Sequence, residues 1–512
     1  MKFDYDIVIL GGGSAGIVSG VMAGALGLRV LLIERGKMGG ECLNTGCVPS
    51  KALLHAAKVA QAIRTADTLG FAPMHVTRED AAGVMRRVRD TITTVEDADA
   101  TTKLLRDNGV EIRHGQAHFT DPHTLEMDGR TITAANFILA TGSSPVEPSI
   151  LGLMGGSYLT NHTVFDLNEI PERMLVVGGG PIGTEMAQAF ALLGSRVTLV
   201  QSAPRLLPRD DSELTGLLAE YLQADGVDVR LSTKLSEVRQ DGSSHVGILT
   251  SSDVATEVPF DQVLFGVGRC PNTAGLNLEA AGVAYDKDRV QADEYLRTTA
   301  PHIYVCGDLL GHDQFSHLAE YEAKLVVRSI AFPGQSKASF RLSPWTTFTD
   351  PEMTHIGQTE DELKAANIPY EVYKQPFAQN DRAITDGETR GLVKVLTTPG
   401  LTGKILGVHI LGSRSGELAQ EWILAMEHGH SVRAIADMVH VYPTLSLACQ
   451  HAAQRWYEGK SQEPAIKSAL SAYIGVVRPH ERLWAFGLLG AAVIGAGLTL
   501  LGRNNAGDPS VK

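Results

Sequence analysis

Apolar and polar positions along the chain alternate between short runs of five or six apolar residues and longer stretches with helical spacing. Tyr5–Leu10 is an apolar run with the length of a strand, and it ends in the glycine cluster GGGSAG. An apolar helix and a second strand at 29–33 follow. The same order returns at 174–177, which runs into GGGPIG, an apolar helix and a strand at Arg196–Val200. Two β–α–β units of this kind predict two parallel-sheet domains of the nucleotide-binding type. Helical stretches are expected from Lys51 and from Arg78, with short strands up to about Leu139. A third region, 271–333, carries IYVCGD at 303–308 and a helix at 319–330. From about Ser343 the texture changes. Strands at 392–396 and 405–411 flank a Pro-Gly turn, and a helix is expected at 415–428.

The glycines give these units a chemical meaning. Gly11, Gly13 and Gly16 form G-x-G-x-x-G directly after a strand. The first allows a tight turn, the second lets backbone approach a pyrophosphate, and the third lets helix pack on strand. Glu34 ends the next strand, where a carboxylate binds a ribose hydroxyl. Gly178, Gly180 and Gly183 repeat the spacing and are followed at once by Glu185. At the end of the strand that follows, an acid would hold the 2′-hydroxyl of NADH. This chain has Gln201 there, with Arg205 and Arg209 close behind, which leans the reading toward NADPH or toward use of both nucleotides.

Residues 39–51 read GGECLNTGCVPSK. In a regular helix Cys42 and Cys47 would have Cα atoms about 8–9 Å apart. A disulfide needs less than about 7 Å. A bridge therefore demands a local distortion, and Asn44, Thr45 and Gly46 are residues that tolerate one. Pro49 suits the first turn of the next helix, and a thiol near a helix start has a lowered pKa. No second Cys/His pair at ligand spacing accompanies the two cysteines, so no metal site is expected. With only five cysteines in 512 residues and no N-terminal signal peptide, the catalytic body is read as cytoplasmic. A formal charge of −13 without a long basic run argues against a nucleic-acid partner.

From about residue 4 to residue 460 the chain resembles the class I pyridine nucleotide–disulfide oxidoreductases, which include dihydrolipoamide dehydrogenase, glutathione reductase and mercuric reductase. The segment 39–51 carries the resemblance most strongly. It implies an α/β fold: two Rossmann-like domains for FAD and NAD(P), then an α+β dimerisation domain. The expected divisions are 1–150 for the first FAD part, 151–270 for NAD(P), 271–342 for the central FAD part and 343–460 for dimerisation. The resemblance makes Cys42 the thiol that exchanges with substrate and Cys47 the flavin-facing thiol. Lys51 matches the lysine beside flavin N5, paired with a glutamate that matches Glu185. Thr141 and Gly142 match the flavin-side ATG turn, and Gly268 opens a GRxPN junction. Asp308 matches the aspartate that binds the FAD ribityl and phosphate region, and His317 lies where backbone meets the flavin ring. Cys270 and Cys306 stand in these motifs as small packed side chains. A homodimer is implied.

The chain departs from the family at its acid–base motif, HPT-x-S-E. Tyr442 holds the histidine position and Leu447 the glutamate position; His440 comes two residues early. Tyrosine, with a pKa near 10, is a poor base at neutral pH, so lipoamide or glutathione reduction is not favoured. Tyrosine there is a feature of mercuric reductase, yet the C-terminal cysteine pair of that enzyme is missing from NNAGDPSVK. Cys449 is read as a packed thiol. The acceptor remains open among small molecules, thiols, disulfides and metal ions. A quinone dehydrogenase and a non-catalytic flavin sensor are the alternatives. Finally, 483–502 holds twenty uncharged residues flanked by Arg478, Arg482 and Arg503, the length of a transmembrane helix. With a linker at 461–482, it is expected to anchor the body to the cytoplasmic membrane.

Overall fold

The computed structural model describes residues 2–477 apart from 100, 154–157, 242–243, 253 and 335. The first sheet is built on Tyr5–Leu10, whose Ile7, Val8 and Ile9 are wholly buried. A run apolar on both faces suits a parallel strand covered by helices on either side. It pairs in parallel with Val30–Glu34 through Ile7↔Val30 and with Arg130–Leu139 through Ile7↔Asn136. Ile303–Val305 returns from far along the chain to lie beside Arg130–Leu139. The helices Ser14–Ala25 and Ser316–Ala331 pack on each other against this sheet.

The second parallel sheet runs Val227–Arg230, Arg196–Val200, Arg173–Val177, Gln262–Phe265. Its glycine turn copies the first. Gly11 and Gly178 both have φ +109°, and a Cβ on Gly16 or Gly183 would lie 1.8 Å from the carbonyl oxygen of Gly11 or Gly178. Inserted before Gln262–Phe265 is an antiparallel sheet of Lys234–Asp241, Ser244–Ser251 and Val254–Phe260. Its last strand is largely exposed, so it leaves no apolar run in the sequence.

The C-terminal unit is a five-stranded antiparallel sheet covered by the helices Ser415–Glu427 and Leu447–Gln462. It is tied to the second nucleotide unit by one buried cation. Lys394 is 1% exposed, and its Nζ lies 2.9 Å from Asp211, 3.0 Å from Glu213 and 2.7 Å from Glu360. Asp211 also caps the helix Ser212–Ala224, accepting from the backbone of Glu213 and Leu214.

Where it is described, the expected linker 461–482 is helical: Pro464–Val477 forms a helix. Pro464 sits at its first position, where a missing N–H costs nothing, and alanines and leucine follow. The proposed membrane segment 483–502 lies outside the described residues. Among the described residues no helix is long and apolar enough to cross a membrane.

Two outcomes follow from this packing. Lys394→Ala would leave three carboxylates around an empty charge site, at a cost of about 3–5 kcal/mol. Burial raises Glu360, but bonds from Lys364, Lys394 and Tyr370 more than reverse this and bring it to about 2. Its contribution is therefore present above its unfolded value of 4.5 and fades as pH falls toward 2. Thermal melting should show a large drop for the variant at pH 7 and a smaller one at pH 3; equal melting at pH 7 contradicts the assignment. Gly16→Ala should yield protein with far less than one flavin per chain by visible absorbance, because its Cβ collides with backbone. Full flavin content in that variant would refute the close-approach argument.

Candidate functional site

A cavity of about 1530 Å³ opens where the two glycine turns face each other, and both turns contribute to its wall. Gly13 caps the helix Ser14–Ala25 without a side-chain bond, so the N–H groups of that helix start stay available to a phosphate. Glu34 closes the turn, accepting from the backbone N–H of Gly12 at 2.6 Å and of Gly36 at 2.5 Å. Across the cavity, Thr141 and Asn272 exchange bonds of 2.8 and 2.9 Å, which fasten the Thr141–Gly142 turn to the segment after Gly268. Asp308 accepts from Ser143 and lies 3.6 Å from Arg269. A helix start, a ribose-type carboxylate and a second carboxylate lining one cavity fit the pyrophosphate, ribose and ribityl parts of FAD.

Cys42 and Cys47 meet in this cavity because the helix between them is broken. Gly40–Asn44 forms one short helix and Cys47–Arg64 another. At the break Gly46 has φ −130° and ψ −106°, and a Cβ there would lie 2.9 Å from the Glu41 carbonyl oxygen. Asn44 donates to the carbonyls of Gly40 at 2.8 Å and Met38 at 3.1 Å, which ties the end of the first helix back to its start. The two sulfurs are not covalently bonded to each other in this structure. The bond from Cys42 brings Cys47 down to about 6 against the opposing effect of burial; Ser316 and Lys51 act in the same direction. The same bond and burial push Cys42 well up. The two shifts run in opposite directions, so charge is favoured on Cys47 and the proton on Cys42. Cys47 is also the first residue of its helix, where the helix dipole favours an anion.

Lys51, one turn further on, lies 3.0 Å from the buried carboxylate of Glu185 and 4.3 Å over the Phe348 ring. Glu185 also accepts from the backbone N–H of Phe348 at 2.8 Å. One carboxylate therefore joins the redox helix, the second nucleotide unit and the C-terminal sheet.

Of the other residues expected from sequence, Gly180, Gly268 and His317 line the cavity. Gly16, Gly178 and Gly183 act one layer behind, in backbone packing. His317 donates from Nε2 to the Pro344 carbonyl at 2.7 Å. Gln201 is buried, and Arg205 binds Asp361 at 2.6 Å and the Pro208 carbonyl at 2.7 Å. Arg209 pairs with Asp313 and lies 4.8 Å from the Trp345 ring. Both guanidinium groups are therefore paired with carboxylates, Asp361 and Asp313, which come from other parts of the chain.

Tyr442 does not join the cavity of its own chain. It is 69% exposed and donates to Asp381 at 3.0 Å, which pushes its hydroxyl up. It stands among exposed apolar neighbours, Val439 and Val441. His440 is held by Glu421 at 3.0 Å and by the Met438 carbonyl at 3.1 Å, so both ring nitrogens are engaged. Cys449 and Cys306 are fully buried, and burial pushes both thiols up. Cys270 is exposed rather than packed. Sequence reasoning missed Ser316, 3.6 Å from Cys47. It also missed Glu322, which accepts from the Gly307 N–H beside Asp308 and is pushed up to about 8 by burial. A serine and a glutamate inside a helical stretch carry no motif.

Comparison with known proteins agrees with this geometry. Residues 5–325 match the model of the pyridine nucleotide-disulphide oxidoreductases, and 343–453 match the dimerisation domain of the same family, which supports a homodimer. A mercuric reductase of Streptomyces lividans is 36% identical over 88% of this chain and 96% of its own length. A dihydrolipoyl dehydrogenase of Thermus scotoductus is 35% identical over 88% of this chain and 97% of its own. Among solved structures, the HOCl-induced flavoprotein disulfide reductase RclA from Escherichia coli superposes with a TM-score of 0.78 at 27% identity, covering 88% of this chain and 99% of that one. The chain belongs to the pyridine nucleotide–disulfide oxidoreductase family, FAD-dependent enzymes that use NAD(P)H.

Proposed function

We propose that the chain takes electrons from NADH, passes them to the Cys42–Cys47 disulfide, and delivers them from the dithiol to a thiophilic metal ion. The observation that carries this reading is the Cys42–Cys47 pair itself, with both residues at the wall of the cavity that fits FAD. FAD, when bound, supplies the hydride acceptor between nicotinamide and disulfide. Lys51 keeps a fixed positive charge near the thiols through its bond to Glu185. A hydride equivalent brings two electrons and one proton, so the reduced pair is one thiol and one thiolate. A divalent ion such as Hg(II) then takes two electrons, the disulfide re-forms, and the proton of Cys42 leaves to solvent. With Cu(II), two ions each take one electron.

A metal acceptor is supported by what the acceptor side lacks. Reduction of a substrate disulfide needs a proton for the leaving thiol, and Tyr442 is ill suited to supply one at neutral pH. A metal ion needs none. Similar proteins include mercuric reductases, and RclA from Escherichia coli is also solved as a Cu(II) complex, with a TM-score of 0.79 at 26% identity. NADH is favoured over NADPH because Arg205 and Arg209 are committed to carboxylates. The uncharged segment 483–502, with arginines on both flanks, supports a tether to the cytoplasmic membrane.

Steady-state assays with Hg(II), Cu(II), lipoamide, glutathione disulfide and a quinone should show metal-dependent NADH oxidation in wild type. In Cys42→Ser/Cys47→Ser it should fall at least a hundredfold. Quinone reduction retained in that variant, without metal reduction in wild type, would favour a quinone dehydrogenase. The kcat/KM for NADH should exceed that for NADPH about tenfold or more; a reversed ratio contradicts the nucleotide assignment. Release of the full-length protein from membranes by carbonate would exclude the tether.

A further inference from the structure

The helix Ser316–Ala331 begins beside the redox pair. Its N-cap is Phe315, which offers no side-chain bond to the helix start. Ser316, the first helical residue, does not turn its hydroxyl back to cap the helix either. Oγ lies instead 3.6 Å from Sγ of Cys47. Two helix starts therefore converge on one sulfur: Cys47 opens its own helix and Ser316 opens the other. Both dipoles favour negative charge there.

Reduction of the disulfide by a hydride equivalent produces one S–H and one S⁻, with no proton left over. The groups that face each sulfur decide which one keeps the charge. Lys51 acts on the pair through its charge, while its ammonium is bonded to Glu185. Ser316 Oγ lies within hydrogen-bond reach of Cys47 Sγ, and a hydrogen bond to an ionised acceptor is stronger than a neutral one. A hydroxyl can also donate to the thiolate without becoming charged itself.

We propose that Ser316 is a catalytic residue whose hydroxyl donates to Cys47 in the reduced pair, holding the charge on Cys47 and the proton on Cys42. Cys42 then meets the acceptor as a thiol and gives up its proton only when a thiophilic metal binds it. This rests on the reading of Cys42–Cys47 as the redox pair.

The test uses FAD-loaded wild type, Ser316→Ala and Ser316→Thr, each reduced with dithiothreitol and desalted anaerobically. Thiolate formation at Cys47 is followed against pH by iodoacetamide labelling, read residue by residue by mass spectrometry. Wild type should titrate below the usual thiol range. Ser316→Ala should shift the midpoint up about one unit, a tenfold lower thiolate-to-thiol ratio, and Ser316→Thr should restore it. Coincident profiles for Ala and wild type overturn the proposal. So does a shift in Thr equal to that in Ala, which would mean packing rather than donation. Metal-dependent NADH oxidation by wild type, measured on the same preparation, judges the parent reading. If that is absent while Cys47 still shifts, the redox role fails and the hydrogen bond stands.

Discussion

Everything at the candidate site depends on one backbone constraint, the break in the helix at Thr45 and Gly46. A continuous helix would hold the sulfurs of Cys42 and Cys47 apart. The break leaves no room for a side chain at Gly46, whose missing Cβ would lie 2.9 Å from the Glu41 carbonyl oxygen. It starts a new helix at Cys47, which places a helix N-terminus behind one sulfur but not the other. The asymmetry of the pair, with charge favoured on Cys47 over Cys42, starts from that difference. Ser316, Lys51 and the bond from Cys42 then enlarge it.

The break needs support from outside the segment. Asn44 staples the short helix to the carbonyls of Met38 and Gly40, and Asn161 reaches the Thr45 carbonyl at 3.4 Å. Lys51 anchors the start of the longer helix to Glu185, which is fixed in turn by the backbone of Phe348. The C-terminal sheet is secured to the second nucleotide unit at another point, by Lys394 and its three carboxylates. The redox geometry is therefore a property of the whole fold, since each support comes from a different part of the chain.

Much of this was legible in the sequence. The two glycine turns announce themselves because a close helix–strand approach admits only glycine, and the need for a distortion between Cys42 and Cys47 follows from helix geometry alone. The family resemblance placed Lys51 opposite Glu185. What stayed hidden depends on partners that sequence spacing does not bring together. Arg205 and Arg209 looked available for a phosphate until Asp361 and Asp313 met them. The antiparallel sheet from Lys234 to Phe260 left no clear apolar run, because its last strand is mostly exposed. Ser316 carries no motif at all; only the packing of its helix start against Cys47 gives it meaning. The segment 461–482 read as a linker from its polar composition, yet alanines and leucine after Pro464 sustain a helix as far as Val477.

The redox role of Cys42 and Cys47 requires that nicotinamide electrons reach the two sulfurs. The most direct measurement is anaerobic titration of the fully oxidised, FAD-loaded protein with NADH. New thiols are then trapped with iodoacetamide under denaturing conditions and assigned by mass spectrometry. One equivalent of NADH should produce two new thiols per chain, at Cys42 and Cys47, with Cys270, Cys306 and Cys449 unchanged. Flavin bleaching without new thiols at Cys42 and Cys47 would contradict the account, because the electrons would then bypass the pair.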